Sequence, residues 1–370
     1  MRPAVLSRRA LNRATLARQL LLERADLRPL EAVEHLVGLQ AQLPQNPYVA
    51  LWSRLDRFAA EELSQELEDR NVVRIVVMRA TLHLVSAADC LALRPLVRPV
   101  LDRELARHPE FGSALRSSDL SDVIVFAGRL LEERPLSGRE LRESLHERFP
   151  DLDAVALAYA CRNRLALVQV PPRGLWGKSG QVRTTTAEAW LGRPLAASPS
   201  IRDLTRRYLA AFGPATAADV AAWSRLTGFR EVLDSLRPEL VAFRDEQGRE
   251  LLDLPDAPRP DPDSPAPPRF LPEYDNLLLS HADRSRVIDV RTRRAMSLPQ
   301  APHRGSILVN GFVAATWWID ENRASREAAL LVRPVSRLRK RDVAAVESEG
   351  DRLLRFIAGD RAHGVRFAAS

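Results

Sequence analysis

Lysine is almost missing from this chain. Of 55 basic residues in 370, only Lys178 and Lys340 are lysine, which leaves 53 arginines. Cysteine is nearly absent as well. Cys90 and Cys161 both sit in apolar helical contexts, D-C-L-A-L and Y-A-C-R-N, and read as buried free thiols. Two isolated thiols exclude a disulfide framework and a zinc-cysteine cluster. H-E-x-x-H and C-x-x-C are missing, so no metal site is expected. P-loop and G-x-G-x-x-G patterns are missing too, so no nucleotide cofactor is expected. No run of 18 apolar residues occurs and the N-terminus has no apolar signal core, so the expectation is a cytoplasmic protein without membrane association.

What is present is a large chain with a strong positive bias. Length admits two to four small domains, and 45% hydrophobic content supports a core. Net charge is +7 and the pI about 10.1. Arginine reads phosphate with a planar fork, so the excess favours an anionic partner, with nucleic acid foremost.

The pattern of elements repeats. Helices are expected at 7–24 with Ser7 as cap, 30–42, 47–55 and 60–70. A β-branched stretch at 72–85 then reads as two strands. Helices at 119–134, 137–149 (capped by Ser137) and 153–164 precede a strand, a Gly-rich hairpin and a strand at 165–186. A third set runs from Ile201 through a helix capped by Thr216 and the helical F-R-E-V-L-D-S-L to a hairpin turning near Gln247-Gly248. Helices followed by a β-ribbon form the winged-helix pattern. Residues 255–268 hold seven prolines and read as a loop or linker. The pieces beyond them read as strands, including R-F-L-P-E-Y-D-N-L-L-L-S-H and S-R-V-I-D-V. A type I′ turn is expected at Val309-Asn310-Gly311-Phe312 and a final helix at 339–358. The fold class is therefore α+β, three tandem winged-helix units plus a small β-rich C-terminal domain. The expected boundaries are 1–115, 116–198, 199–256 and 257–370. No heptads suggest dimerisation, so a monomer is expected.

The most informative stretch is G-L-Q-A-Q-L-P-Q-N-P-Y, Gly38 to Tyr48. Gln40 and Gln42 lie two apart, read as the end of the helix that stops before Pro44 and Pro47. Glutamine does not titrate, so it is no acid or base, and its amide needs partners once out of water. Two roles fit: capping bonds to nearby backbone, or a fixed pair of amides that orients a water or reads a polar edge.

Five segments, L-N-R-A-x-L-x-R-Q-L-L-L-x-R, V-E-H-L-V-G-L-Q-A-Q, M-R-A-T-L-H-L-V, R-G-L-W-G-K-S-G and L-P-E-Y-D-N-L-L-L-S-H-A-D-R-S-R-V, resemble the winged-helix DNA glycosylases of the AlkZ/YcaQ type. The resemblance spans nearly the whole chain. It implies three winged helices in a C-shaped, DNA-embracing architecture. It also implies removal of N7-alkylated purines from double-stranded DNA, including purines in interstrand crosslinks. The catalytic motif it implies, glutamine–aliphatic–glutamine or aspartate, matches Gln40-Ala41-Gln42 in its double-glutamine form, which is associated with self-resistance to DNA-alkylating natural products. An N7-alkylated guanine is already cationic and needs no proton to leave. The protein must then place a water below C1′, and with no lysine beside the motif the enzyme is expected to be monofunctional.

The remaining candidates each carry two readings. His281, Asp283, Arg284 and Arg286 form a DNA- or lesion-contact segment or a locally bonded turn. Trp176 and Lys178 probe a groove, or their glycines merely make a hairpin. Tyr48 and His35 line the lesion site or belong to the core. His83 is read as a core histidine. The competing function is a non-catalytic winged-helix transcriptional regulator.

Overall fold

A computed structural model describes residues 3–117, 119–296, 304–322 and 327–368. Its elements fall into three sheets surrounded by helices, a mixed α+β architecture. Local signals set several boundaries. Ser7 caps the helix Arg8–Arg18 by accepting from the Ala10 N–H at 3.1 Å. Ser137 and Glu140 form a reciprocal capping box on Gly138–Arg148, and Thr216 and Asp219 form another on Ala217–Ser224. Asn310 and Gly311 both take positive φ, 51° and 84°, as a type I′ turn requires. Both cysteines are buried, and burial pushes each thiol up to about 12.

The sheet that matters for function has six strands, in the order Leu39–Gln40, Leu82–Ser86, Val72–Val76, Leu167–Gln169, Arg183–Thr186 and Leu136–Ser137. Strand Val72–Val76 lies antiparallel to Leu167–Gln169, with Arg74 opposite Gln169. Hairpins expected in the first and second helical units therefore share one sheet. A three-stranded sheet carries the third hairpin, Val241–Asp245 with Glu250–Asp253, and the N-terminal strand Ala4–Leu6 joins it in parallel. A five-stranded sheet from Arg269–Leu271 to Ala362–Phe367 packs against the helix Lys340–Ala358.

Two expectations are corrected and a third is narrowed. The helix expected to reach residue 42 is Pro29–His35. Val37 and Gly38, at φ 55° and 88°, turn the chain out of it, so Leu39–Gln40 enters the sheet edge instead. The glutamines thus belong to a strand and its extension, not to a helix terminus. Around Asp275 and Arg284 the expected strands are 3₁₀ turns, Asn276–Leu278 and Arg284–Arg286, followed by a short helix, Val290–Met296. Of the two readings of the proline-rich segment, loop or linker, it is a loop, and one docked on the first helix. Arginines of the first helix hold its carbonyls: Arg9 donates to Pro262 at 2.6 Å and Arg13 to Ser264 at 2.7 Å. Trp317 is buried and donates to the Leu271 carbonyl at 2.9 Å.

Candidate active site

Gln40 lies opposite His83 in the register of the edge strand, and Leu39 opposite Leu84. The extended chain continues one residue further, because the Ala41 N–H donates to the Leu82 carbonyl at 2.8 Å. Ala41 is fully buried, and Gln42, at the bend just beyond the strand, lies against the same partner strand as Gln40 through the Leu82 N–H. Arg74 donates to the Ala41 carbonyl at 2.9 Å from beneath. Asn276 donates to the Gly38 carbonyl at 2.6 Å, and Asn46 to the Glu273 carbonyl at 2.8 Å. The P-E-Y-D-N segment is thereby a buttress for the glutamine strand. Asp275 completes it with a bidentate pair to buried Arg54, at 2.8 and 2.9 Å.

The Gln40 side chain is held by a charge. Arg79 Nη2 donates to Gln40 Oε1 at 2.8 Å and approaches His83 Nε2 at 3.2 Å, while its Nη1 donates to the Trp223 carbonyl at 2.8 Å. Because a guanidinium only donates, the Gln40 oxygen must face it and His83 Nε2 must be the bare nitrogen. His83 Nδ1 then carries the proton and donates to the Thr81 carbonyl at 2.9 Å. Burial first, and then the charge of Arg79, lower the His83 pKa to about 3 against the opposing Thr81 bond, so the ring is neutral. Burial lowers Arg79 to about 10, helped by Arg225 and Arg284, and it remains a cation at neutral pH. Arg79 and Ala80 both take left-handed φ, 57° and 56°, in the tight reversal between the two central strands. Gln40 is 8% exposed, whereas Gln42 is exposed, with its Oε1 accepting from the Leu82 N–H at 3.4 Å. The chemistry available is that of an uncharged amide pair on an edge strand beside the hairpin turn that carries Arg79, with no acid, base or nucleophile between them.

The other expected site residues separate into groups. Tyr48 is buried and donates to the Gly174 carbonyl at 2.8 Å, and its ring lies 4.9 Å from Trp176. Trp176 also lies 4.9 Å from Phe356, which folds it back onto the protein rather than outward. Gly174, at φ 108°, leaves room for Arg74, whose Cδ would stand 3.0 Å from a Cβ placed there. Lys178 is exposed on the same loop. His35 meets the Arg18 carbonyl at 2.6 Å, tying two helices together. His281 is buried, with Nε2 on the Phe212 carbonyl at 3.0 Å, and Arg286 is buried, donating to Thr15 Oγ1 and the Pro214 carbonyl. These four (Tyr48, His35, His281 and Arg286) are thus spent on internal bonds in this structure, which favours the structural member of each pair of readings. Asp283 accepts from Ser285 and Arg249; burial pushes its pKa up, but these bonds outweigh that and hold it at about 2. Arg284 is half-buried near Arg225 and Arg293. Arg79 was missed by the sequence reading, although it sits in the quoted M-R-A-T-L-H-L-V segment. Only the fold shows that this turn folds over Gln40.

The profile described as "DNA glycosylase AlkZ-like" matches residues 33–356. The chain belongs to the AlkZ-like DNA glycosylase family. Among solved structures, the DNA glycosylase AlkZ of Streptomyces sahachiroi superposes with a TM-score of 0.80 at 20% identity, over 98% of this chain and 100% of that one. That likeness is one of fold. Curated protein sequences give no match. This protein is thus a DNA glycosylase, a hydrolase of N-glycosidic bonds in DNA. Among the described residues no helix is long and apolar enough to cross a membrane, and no group of three or more His, Cys, Asp or Glu residues is placed to hold a metal ion.

Proposed function

We propose that this glycosylase hydrolyses the N-glycosidic bond of N7-alkylguanine in duplex DNA, with Gln40 and Gln42 placing the attacking water. The observation that carries the reading is the placement of both glutamines against the strand Leu82–Ser86, with the Gln40 amide fixed by Arg79. Water oxygen bonds to C1′ as the C1′–N9 bond breaks. The bonding pair flows into the base and cancels its positive charge, and the water proton leaves to solvent. The products are free 7-alkylguanine and an abasic sugar. Gln40 keeps one lone pair and its NH2 for substrate or water after Arg79 is served. Oriented amides can stabilise developing oxocarbenium character less than a carboxylate would, so the base must already be a good leaving group.

The exposed position of Gln42 at a sheet edge supports an open site over a tight base pocket. Such a site would admit bulky adducts and crosslinked bases, and would suit protection against a DNA-alkylating natural product. The recurrent order of helices and hairpins supports tandem winged helices, divided at 1–115, 116–198, 199–256 and 257–370, acting as a monomer on duplex DNA. The test is to incubate matched duplexes carrying N7-methylguanine, uracil or hypoxanthine, then treat with alkali. Strand cleavage is expected only for the cationic base. Neutral bases released at comparable rates would contradict the mechanism.

A further inference from the structure

Arginines crowd the glutamine site without carboxylates to match. Arg79 holds the Trp223 carbonyl two residues before Arg225, and the charges of Arg225 and Arg284 both bear on Arg79, as that of Arg225 does on Arg284. None of the three pairs with a carboxylate among the described residues. Asp283, beside Arg284 in the chain, is engaged by Arg249 and Ser285. The cluster is held by backbone. Arg79 grips the Trp223 carbonyl at 2.8 Å, and Arg103 grips the Arg225 carbonyl at 2.6 Å, fixing both ends of the segment 223–225. Arg225 itself sits in the left-handed conformation, φ 65°, that ends the helix Ala217–Ser224, and its side chain is exposed. Arg79 is pinned by its bonds to Trp223, Gln40 and His83, so it contributes a charge fixed in place.

Like charges gathered this way repel unless an anion joins them. The proposed substrate sharpens the point. A cationic N7-alkylguanine beside Gln40 would face these guanidiniums, and a negative group between them would relieve the repulsion. We propose that Arg225 and Arg284, backed by Arg79, bind a phosphodiester next to the lesion nucleotide. This binding site rests on the reading of Gln40 as the reaction centre. Phosphate held there offsets the repulsion on the cationic base and fixes the sugar over the edge strand. Because Arg79 touches both the cluster and Gln40 Oε1, occupation of the site and orientation of the amide are linked.

The experiment uses the full chain and a duplex with a tetrahydrofuran abasic analogue, titrated at several salt concentrations. Single uncharged methylphosphonate linkages are placed in turn on either side of the abasic unit. Arg225→Gln and Arg284→Gln are each expected to weaken binding and to flatten the dependence of log K on log salt by about 0.9, one phosphate's worth. One methylphosphonate position should weaken the wild type by as much, and should cost the variants little more. Gln40→Ala should keep the wild-type slope and the wild-type sensitivity. Variants that retain the wild-type slope and lose affinity at every linkage as the wild type does would overturn the phosphate site. Thermal midpoints confirm that the variants are folded. Failure to release N7-methylguanine would instead count against the substrate reading, while slopes and linkage scan judge the phosphate site alone.

Discussion

Arg79 is the residue on which the local account turns. Its fork joins neighbouring His83 to Gln40 and Trp223, which lie far off in sequence on either side. Removing it leaves the Gln40 oxygen and the bare His83 nitrogen without a donor, in surroundings where an unmet polar group costs about 1–3 kcal/mol. Arg79→Ala is therefore expected to lower stability by that order in urea unfolding and to slow base release well beyond what lost affinity explains. Groups that act as one unit are non-additive, so Arg79→Ala combined with Gln40→Ala should be no slower than Gln40→Ala alone. Additive losses would mean that the two side chains act independently. His83 gives a pH signature. Its pKa is about 3 when folded, against an ordinary value of 6.5. Below pH 6.5 the unfolded chain takes up a proton that the folded ring refuses, so this stabilisation is present above 6.5 and lost as pH falls toward 3. Denaturant midpoints from pH 7 to pH 4 should fall, and fall less steeply in His83→Gln.

At the scale of elements, the edge strand Leu39–Gln40 is where sequence and structure part. Residues 30–37 are apolar at helical spacing, and nothing in that spacing marks where the helix gives way. The stop comes from Val37 and Gly38 in left-handed conformations and from pairing with Leu82–Ser86, a partner more than 40 residues away. Helices with a side-chain cap, such as those begun by Ser137 and Thr216, were legible because the signal is local. The buttress around Asp275 was not, since its partners Arg54 and Gly38 lie far off in the chain. The glutamine pair was visible as a motif, but its holder Arg79 needed the hairpin geometry. Gly38 tests the element directly. At φ 88°, a Cβ there would stand 2.7 Å from Val85 Cγ1 and 3.0 Å from the Leu84 carbonyl. Gly38→Ala should cost about 1–3 kcal/mol through backbone strain and crowding. It should also displace the glutamines, seen as lower turnover at unchanged DNA affinity.

Over the whole molecule, arginine does two jobs. Buried arginines tie distant segments: Arg18 reaches Asp253 at 2.6 and 2.7 Å and Arg54 reaches Asp275, with both pairs closed to solvent. Breaking one partner of such a pair costs about 3–5 kcal/mol, because the other stays buried and charged, so Asp253→Ala should unfold at markedly lower denaturant than wild type. Exposed or half-exposed arginines without carboxylates, Arg225 and Arg284 among them, are the ones proposed to meet phosphate. This division explains why so basic a chain keeps an ordered interior. The central claim is that the two amides, not a carboxylate or lysine, run the hydrolysis. Its most direct test is single-turnover release of N7-methylguanine from a duplex by wild type, Gln40→Ala and Gln42→Ala, with DNA affinity measured in parallel. Release should fall by at least about tenfold, 1.4 kcal/mol in the barrier, in each variant while affinity holds; wild-type rates in both would contradict it.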